Sequence, residues 1–331
     1  MTKSRIPLAC ASLALAASLA GGLVAKAGAA ELTLRMSTPA TATDNRSKGL
    51  AQFFGPAVKG FASYQPHYGA TLFKQGTELE AIARGNLEMS ITSAQELATL
   101  IPSWSIFTAG YLMRDAEHQK KVFHSDIGKE MSKLAEDKLG VKLLDVMYLG
   151  RRQLNLRIDK EIRTPADLAG VKLRMPGTEA WLFLGKALGA NPLPLAFTEV
   201  YTALQTGAID GQDNPLPTNR DSKFYEVTKQ IVLTSHLVDM NFIAFSKKVW
   251  DKLTPDQQKA VQEGASKAAE WGRQEQLKTE QELEQFFKDK GLKVYTPDVN
   301  AFRTQVQKAY LESKFAKDWP KGMVDRVNAI K

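Results

Sequence analysis

Two arginines and one asparagine in the middle of this chain have the residue types and the setting for binding a carboxylate. Arg152 and Arg174 fall in segments typical of strands or strand ends, and Asn214 follows in a proline-flanked loop. A guanidinium presents a rigid fork of donors that matches a carboxylate in paired hydrogen bonds. An amide side chain supplies both a donor and an acceptor, which suits a hydroxylated acid. The pattern therefore indicates a carboxylate-binding cleft.

The other reactive side chains form no catalytic or metal-binding motif. The sequence has no phosphate-cradling glycine loop, no nucleophile elbow and no paired-histidine zinc motif. Asp210 and Asp213 are close enough to suggest a hydrolytic carboxylate pair, but Gly211, Pro215 and Pro217 predict a shaped loop instead. We interpret each of the four well-separated histidines as a surface or packing residue: His67, His118, His124 and His236. We expect no metal, no cofactor and no enzymatic activity.

An alternation of strands and helices is predicted to position these side chains. Residues 32–36 alternate between apolar and polar types, which is typical of a half-buried strand. Capping residues then begin a helix that reaches residue 58. Further strands are predicted at 64–68 and 87–91, around a short helix at 78–84. This order implies parallel pairing of the three strands.

A second series of elements follows and predicts a second α/β lobe. Its predicted strands and helices lie at 143–147, 154–158, 165–168, 171–175, 179–188, 198–206 and 231–233. No Gly/Ser-rich linker separates the two series, so we expect structured crossings between the lobes. The predicted boundaries are 30–151 and 240–279 for lobe I, and 152–239 and 280–331 for lobe II.

A long helix is predicted near the C-terminus. From Thr254-Pro255 to Gly291 the sequence is rich in Gln, Lys, Glu and Ala, and proline and glycine mark its start and stop. A helix over residues 255–290 would be roughly 50 Å long, longer than one lobe is wide. A coiled-coil dimer seam is the alternative, but apolar residues are too sparse for sustained heptads. We expect a monomer.

The first 29 residues have the features of a secretory signal peptide. Lys3 and Arg5 precede an apolar stretch from Leu8 to Val24, and small residues favour cleavage after Ala29. A permanent anchor is disfavoured because the stretch is short and interrupted by two glycines. Cys10 is the only cysteine, so the exported chain would contain no thiol or disulfide. The formal net charge of +8 comes from scattered residues, which argues against nucleic acid as a partner.

The segment from Gly150 to Pro217 resembles the DctP-type solute-binding proteins of tripartite ATP-independent periplasmic (TRAP) transporters. The motifs GRRQLNLRIDKEIRTPADLAGVKLRMPG and FTEVYTALQTGAIDGQDNPLP carry the resemblance, which extends more loosely over most of the chain after residue 30. It implies that Arg174 is the main carboxylate clamp and Arg152 the second arginine. A register shift that would put Arg151 in this second place stays open. Asn214 would bond the same carboxylate or a neighbouring hydroxyl.

The resemblance also implies contacts from the walls of the cleft. Phe197 corresponds to an apolar wall residue, with a plain core position as the alternative. Trp181 would face the cleft if its helix begins near Glu179. Glu78 follows a Gln75-Gly76 turn at which family members carry an acidic or polar contact.

Hydroxyl side chains follow two of the predicted strands of the first lobe. Ser37 and Thr38 come after the first strand, and Thr92 and Ser93 after the third. Ligands of open α/β sheets bind at the carboxyl ends of the strands. These hydroxyls could therefore bond the distal end of a ligand, or serve as turn residues.

The resemblance implies an α/β, two-lobed periplasmic binding protein fold, type II-like, with the long helix spanning both lobes. We expect periplasmic capture of a small organic acid anion, with a sugar acid or another hydroxy or oxo acid favoured. The ligand would pass to the small and large TRAP membrane subunits, driven by an ion gradient. A ligand-presenting sensor subunit is one alternative, and a secreted hydrolase or isomerase is another.

Overall fold

The computed structural model describes residues 32–331, and the predicted signal peptide lies outside this range. The described chain forms one nine-stranded mixed sheet covered by helices. The strands are β1 (Leu32–Ser37), β2 (Ala62–His67), β3 (Met89–Ser93), β4 (Val141–Leu156), β5 (Lys172–Met175), β6 (Asn191–Pro194), β7 (Gly211–Asn214), β8 (Gln230–Ser246) and β9 (Lys293–Tyr295).

Thirteen α-helices occur among the described residues, together with short 3-10 segments. They are α1 (Asn45–Gly49), α2 (Gly55–Val58), α3 (Glu78–Ala83), α4 (Ala94–Leu100), α5 (Ala116–His124), α6 (Asp126–Leu139), α7 (Glu179–Ala187), α8 (Val200–Thr206), α9 (Leu216–Asp221), α10 (Lys247–Trp250), α11 (Pro255–Asp289), α12 (Val299–Leu311) and α13 (Met323–Ala329). A π-helical segment, Leu50–Phe54, joins α1 to α2. No helix in residues 32–331 is long and apolar enough to cross a membrane.

The sheet divides into two lobes that share their two longest strands. The strand order is β2-β1-β3-β8-β4-β7-β5-β6, and β9 also pairs with β8. Lobe I contains β1, β2 and β3 with the Ser246 end of β8, and lobe II contains β5, β6, β7 and β9 with the Leu156 end of β4. The predicted parallel pairing of β1 with β2 and β3 is confirmed.

Strands β4 and β8 cross between the lobes near the pair formed by Gly150 and Asp239. Irregularities in their register occur on both sides of this pair. Gly150 has φ +130, a backbone conformation that favours glycine. The sequence-based lobe boundaries fall near this crossing and remain a prediction.

The long helix α11 runs along both lobes, in agreement with the prediction that it is longer than one lobe is wide. Thr254 and Gln257 form a capping box at its start, with Pro255 at the first helical position. The helix packs against α1 in lobe I and against α9 in lobe II. At the crossing, Glu280 accepts hydrogen bonds from the Tyr148 hydroxyl and the Arg151 backbone N–H, both at 2.7 Å.

The sequence-based strand assignments were wrong where the chain crosses between lobes. The two strands predicted at 143–147 and 154–158 are one continuous strand, β4, and the strand predicted at 231–233 extends to Ser246 as β8. Ser37 is the last residue of β1, and Thr92 and Ser93 are the last two residues of β3. They lie at the carboxyl ends of their strands, as predicted, but within the strands and not after them.

Candidate functional site

A cavity lies between the two lobes, beside the crossing strands. Loops and helix starts of lobe I supply Thr38, Thr41, Asp44, Arg46, Gln75, Ser93 and Glu96 to its wall. Lobe II supplies Arg152, Trp181, Phe197, Asn214, Thr218 and Asp221. Asp239 and Asn241 of β8 complete the wall. The cavity is therefore polar on both sides and has an aromatic border on lobe II.

Arg152 is held by two buried carboxylates. Its Nε donates to Asp239 Oδ2 at 2.7 Å, and its Nη1 donates to the backbone carbonyl and Oδ1 of Asp213 at 2.7 and 3.2 Å. The guanidinium also lies over the Trp181 ring, 4.2 Å from the ring centre. Although burial opposes its charge, Asp213 and Asp239 raise the pKa of Arg152. Arg152 lines the cavity, whereas its neighbour Arg151 does not.

The partners of Arg152 continue into a buried polar network. His236 Nε2 lies 3.0 Å from Asp213 Oδ2, and His236 Nδ1 lies 2.8 Å from the Thr234 hydroxyl. Burial opposes ionisation of Asp213, but Arg152 and His236 hold its pKa below the ordinary value. At Asp239 burial dominates and raises the pKa despite the ion pair with Arg152. Asp213 is thus a structural ion-pair partner, and Asp210 instead accepts the Lys172 backbone N–H at 2.9 Å.

Arg174 is buried and forms no ion pair with the residues that the structure describes. It is 1% exposed, its Nε donates to the Leu195 carbonyl at 2.8 Å, and its Nη2 has no partner among the described residues. Burial lowers the pKa of Arg174 to about 9, an effect that Asp213 opposes. Its guanidinium lies 5.8 Å from the centre of the Phe197 ring. A buried cation with a free donor is suited to receive a carboxylate.

Besides Arg152, three predicted residues of lobe II line the cavity, whereas Arg174 is not part of its wall. Asn214 donates from Nδ2 to Gln212 Oε1 at 2.6 Å, which fixes the orientation of its amide. Helix α7 begins at Glu179, as the sequence predicted, and Thr178 caps it; Trp181 forms part of the cavity wall. Phe197 is half-buried and packs edge-on against Phe224, with ring centres 5.8 Å apart.

Predicted residues of lobe I divide into two groups. Thr38 and Ser93 line the cavity, and Ser93 also caps α4 by accepting the Glu96 backbone N–H. Ser37 is fully buried, and its hydroxyl accepts the Phe73 backbone N–H at 3.3 Å. Thr92 is buried and donates to Glu96 Oε2 at 3.0 Å. Ser37 and Thr92 therefore support the wall and do not form its surface.

Glu78 lies behind the cavity surface, next to Glu96. Its Oε2 accepts the Gly76 backbone N–H at 2.7 Å, and its Oε1 is buried without a partner among the described residues. Burial, followed by repulsion from Glu96, raises the pKa of Glu78 to about 8. Glu78 therefore does not line the cavity, and it influences the cavity only through electrostatic repulsion of Glu96.

Several cavity residues had no signal in the sequence. Arg46 is paired with Asp44 at 2.8 Å and also bonds the Asn241 side chain. Gln75 accepts the Phe197 backbone N–H from the other lobe at 2.9 Å. Asp239 lies within a long, mainly apolar strand, and the residues around it in the sequence do not indicate a role for this single acid. His236 is fully buried in the Arg152 network and is not a surface residue.

The chain is similar to a known family over most of its length. The family model described as bacterial extracellular solute-binding protein, family 7 (DctP) matches residues 40–318. Among curated proteins, the sialic acid-binding periplasmic protein SiaP of Vibrio cholerae is 30% identical over 94% of each chain.

Two solved structures have the same fold with sugar acids bound. One is a TRAP periplasmic solute-binding protein from Roseobacter denitrificans with bound 3-deoxy-D-manno-oct-2-ulosonic acid (KDO). It is 61% identical, with a TM-score of 0.90, over 91% of this chain and 100% of that chain. A second Roseobacter denitrificans protein, with bound L-galactonate, is 27% identical, with a TM-score of 0.82, over 91% of this chain and 98% of that chain.

Proposed function

This chain belongs to the bacterial extracellular solute-binding proteins of family 7, and on that premise we propose that it binds a sugar acid between its lobes for delivery to a TRAP membrane transporter. The observation that carries the proposal is Arg174, a buried guanidinium with one donor that has no partner within residues 32–331. A carboxylate bound there would neutralise a charge that burial destabilises. Asn214 lines the cavity and would bond the same carboxylate or the adjacent hydroxyl.

The two arginines would have different tasks in this site. Arg152 donates from Nε to Asp239 and from Nη1 to Asp213. Its contribution to a bound anion would therefore be a fixed positive charge and the donors of its remaining nitrogen, Nη2. Arg174 has no acidic partner among the described residues and would supply the direct clamp. The ligand carboxylate therefore belongs on lobe II.

The composition of the cavity wall favours a ligand with several hydroxyl groups. Thr38, Ser93 and Thr218 contribute hydroxyls, and Asn241 contributes an amide. The relatives with bound KDO and L-galactonate hold ligands that combine one carboxylate with several hydroxyls. The 61% identity makes KDO the first compound to test.

A thermal-shift screen over a panel of organic acids tests this assignment. KDO, hexonic acids and hexuronic acids should raise the unfolding temperature, and galactitol, which lacks a carboxylate, should not. Ligand at 100 times its dissociation constant adds about 2.7 kcal/mol to the free energy of unfolding. Stabilisation by C4-dicarboxylates alone would contradict the proposed ligand class.

We expect binding without a chemical step. The buried acids nearest the arginines, Asp213 and Asp239, are held in ion pairs with Arg152, which disfavours them as a general acid or base. KDO recovered after long incubation with the protein should therefore be unchanged by mass spectrometry and NMR. A hydrolysed or isomerised product would favour the enzymatic alternative.

Delivery would require export and a membrane partner. The predicted leader would direct the chain to the periplasm, where it would pass its ligand to the small and large TRAP subunits. Uptake by proteoliposomes should then require this protein, both membrane subunits and an imposed sodium gradient. Uptake driven by ATP, or binding without any transport, would instead favour another transporter class or the sensor alternative.

A further inference from the structure

We propose that Glu96 determines the class of anion that the cavity accepts, by bonding ligand hydroxyls and excluding a second carboxylate. The inference rests on the proposed function, since it concerns the part of the ligand that Arg174 does not hold. It predicts a site selective for polyhydroxy monocarboxylates over dicarboxylates of the same length.

Glu96 is held rigidly at the cavity wall. It occupies the first turn of α4, where its Oε2 accepts the Ser93 backbone N–H at 2.8 Å and the Thr92 hydroxyl at 3.0 Å. Within residues 32–331, its Oε1 accepts no hydrogen bond from the protein. The carboxylate therefore cannot turn away from a ligand without losing its cap.

Glu96 is also the acidic wall residue without a cation of its own. Asp44 pairs with Arg46 at 2.8 Å, Asp221 with Arg220 at 2.8 Å, and Asp239 with Arg152 at 2.7 Å. Glu96 forms no ion pair within the described part of the chain, although it lines the same cavity. Among residues 32–331, the site thus combines a cation without an ion pair, Arg174 buried in lobe II and outside the wall, with an anion without an ion pair, Glu96 at the wall in lobe I.

The neighbouring Glu78 allows Glu96 to keep its charge. The two carboxyl groups are close enough to interact, and burial together with this repulsion favours one shared proton. Burial also raises the pKa of Glu96, and this is opposed by hydrogen bonds from the Ser93 backbone N–H and the Thr92 hydroxyl to its carboxylate. We assign the shared proton to Glu78 at neutral pH, because the pKa of Glu78 is raised to about 8.

Two other wall atoms independently indicate a hydroxylated ligand. The Thr218 hydroxyl belongs to a residue 6% exposed and has no hydrogen-bond partner within residues 32–331. Asp239 is 1% exposed, and its Oδ1 likewise has no partner there. Unpaired buried polar atoms are unfavourable unless a ligand supplies the missing partner. Ligand hydroxyls can pair with both atoms, whereas a hydrocarbon chain cannot.

The test compares D-galactonate with galactarate, in which a carboxylate replaces the terminal CH₂OH of the same skeleton. Affinities are measured by calorimetry for the wild type, Glu96→Gln and a control, Glu284→Gln. Glutamine keeps the shape of Glu96 and can still accept the Ser93 N–H. Glu284 is exposed on α11, so its replacement changes net charge alone. Like-charge juxtaposition strongly disfavours a wrong partner, so Glu96→Gln should bind galactarate on the order of tenfold or more tightly than the wild type does.

The outcomes separate this inference from the proposed function. Wild-type binding of KDO or galactonate, with no gain in galactarate affinity in Glu96→Gln, overturns the role of Glu96 and leaves the proposed function intact. An equal gain in Glu284→Gln overturns it too, since net charge would then explain the effect. A wild type that binds no sugar acid overturns both. If Glu96→Gln does not fold by circular dichroism, Glu96→Ala replaces it in the same comparison.

Discussion

Gln75 of lobe I accepts a 2.9 Å hydrogen bond from the Phe197 backbone N–H of lobe II across the cavity. The bond joins a loop before α3 to the segment after β6, so it can exist only when the lobes are close together. We propose that the lobes close around a ligand by a hinge motion, and a contact made only in the closed form would stabilise that form.

Loss of this contact should weaken ligand binding. A net hydrogen bond contributes about 0.5–1.5 kcal/mol, so Gln75→Ala should raise the dissociation constant roughly two- to tenfold. The effect should be mainly a faster dissociation rate, measured by stopped-flow fluorescence with the same ligand. Gln285→Ala, an exposed change on α11, is the control. Unchanged affinity and dissociation rate in Gln75→Ala would show that the contact does not stabilise closure.

Arg152 should matter for folding as well as for binding. Its removal leaves Asp213 and Asp239 buried without their cation. Breaking a buried ion pair in this way costs about 3–5 kcal/mol, so Arg152→Ala should lower the free energy of unfolding by that order. Urea denaturation of the ligand-free protein measures the loss. An exposed arginine, Arg84, provides the matched control, and equal stabilities of Arg152→Ala and Arg84→Ala would contradict this account.

Gly150 should be intolerant of a side chain because it lies where β4 crosses between the lobes. Its φ is +130, and a Cβ would lie 2.5 Å from Glu280 Oε1 and 2.6 Å from Pro215 Cβ. Gly150→Ala should therefore destabilise the fold by about 1–3 kcal/mol. Gly177→Ala is the control, since a Cβ there meets nothing within 4 Å. Equal melting temperatures of the two variants would show that the crossing can relax.

The stability of the ligand-free protein should fall as pH rises, in part through Glu78. Burial and the neighbouring Glu96 raise the pKa of Glu78 from 4.5 to about 8. The folded state therefore binds this proton more tightly, and the resulting stability is present below about pH 4.5 and lost as pH rises through about 8. Glu78→Gln should flatten part of this slope in urea titrations, and the exposed Glu80→Gln should not. A slope unchanged by Glu78→Gln would assign the effect to other carboxyls.

Local sequence patterns predicted the helices whose starts are marked by residues adjacent in the chain. The start of α7 at Glu179 and the start of α11 at Pro255 agree with the predicted starts. The continuous strands β4 and β8 were predicted only in part because polar residues such as Asp239 interrupt the apolar pattern. Asp239 is one of the polar residues that line the cavity between the lobes.

The partners of the predicted site residues could not be read from the sequence. Arg152 was predicted as a carboxylate clamp, yet its acidic partners Asp213 and Asp239 lie 61 and 87 residues away. Only the three-dimensional pairing of β4 with β7 and β8 brings them together. The difference between the engaged Arg152 and the unpaired Arg174 therefore emerges from the fold.

Calorimetric titration of KDO into the wild type, Arg174→Ala and Arg174→Lys tests the central claim most directly. Loss of the partner of a buried carboxylate costs about 3–5 kcal/mol, so Arg174→Ala should raise the dissociation constant on the order of a hundredfold or more. Lysine should recover part of this loss, because a point charge cannot reproduce the guanidinium fork. Both variants should fold, because Arg174 forms no ion pair among the described residues and its removal leaves no buried carboxylate unpaired. Wild-type affinity in Arg174→Ala would contradict the carboxylate site proposed for this protein.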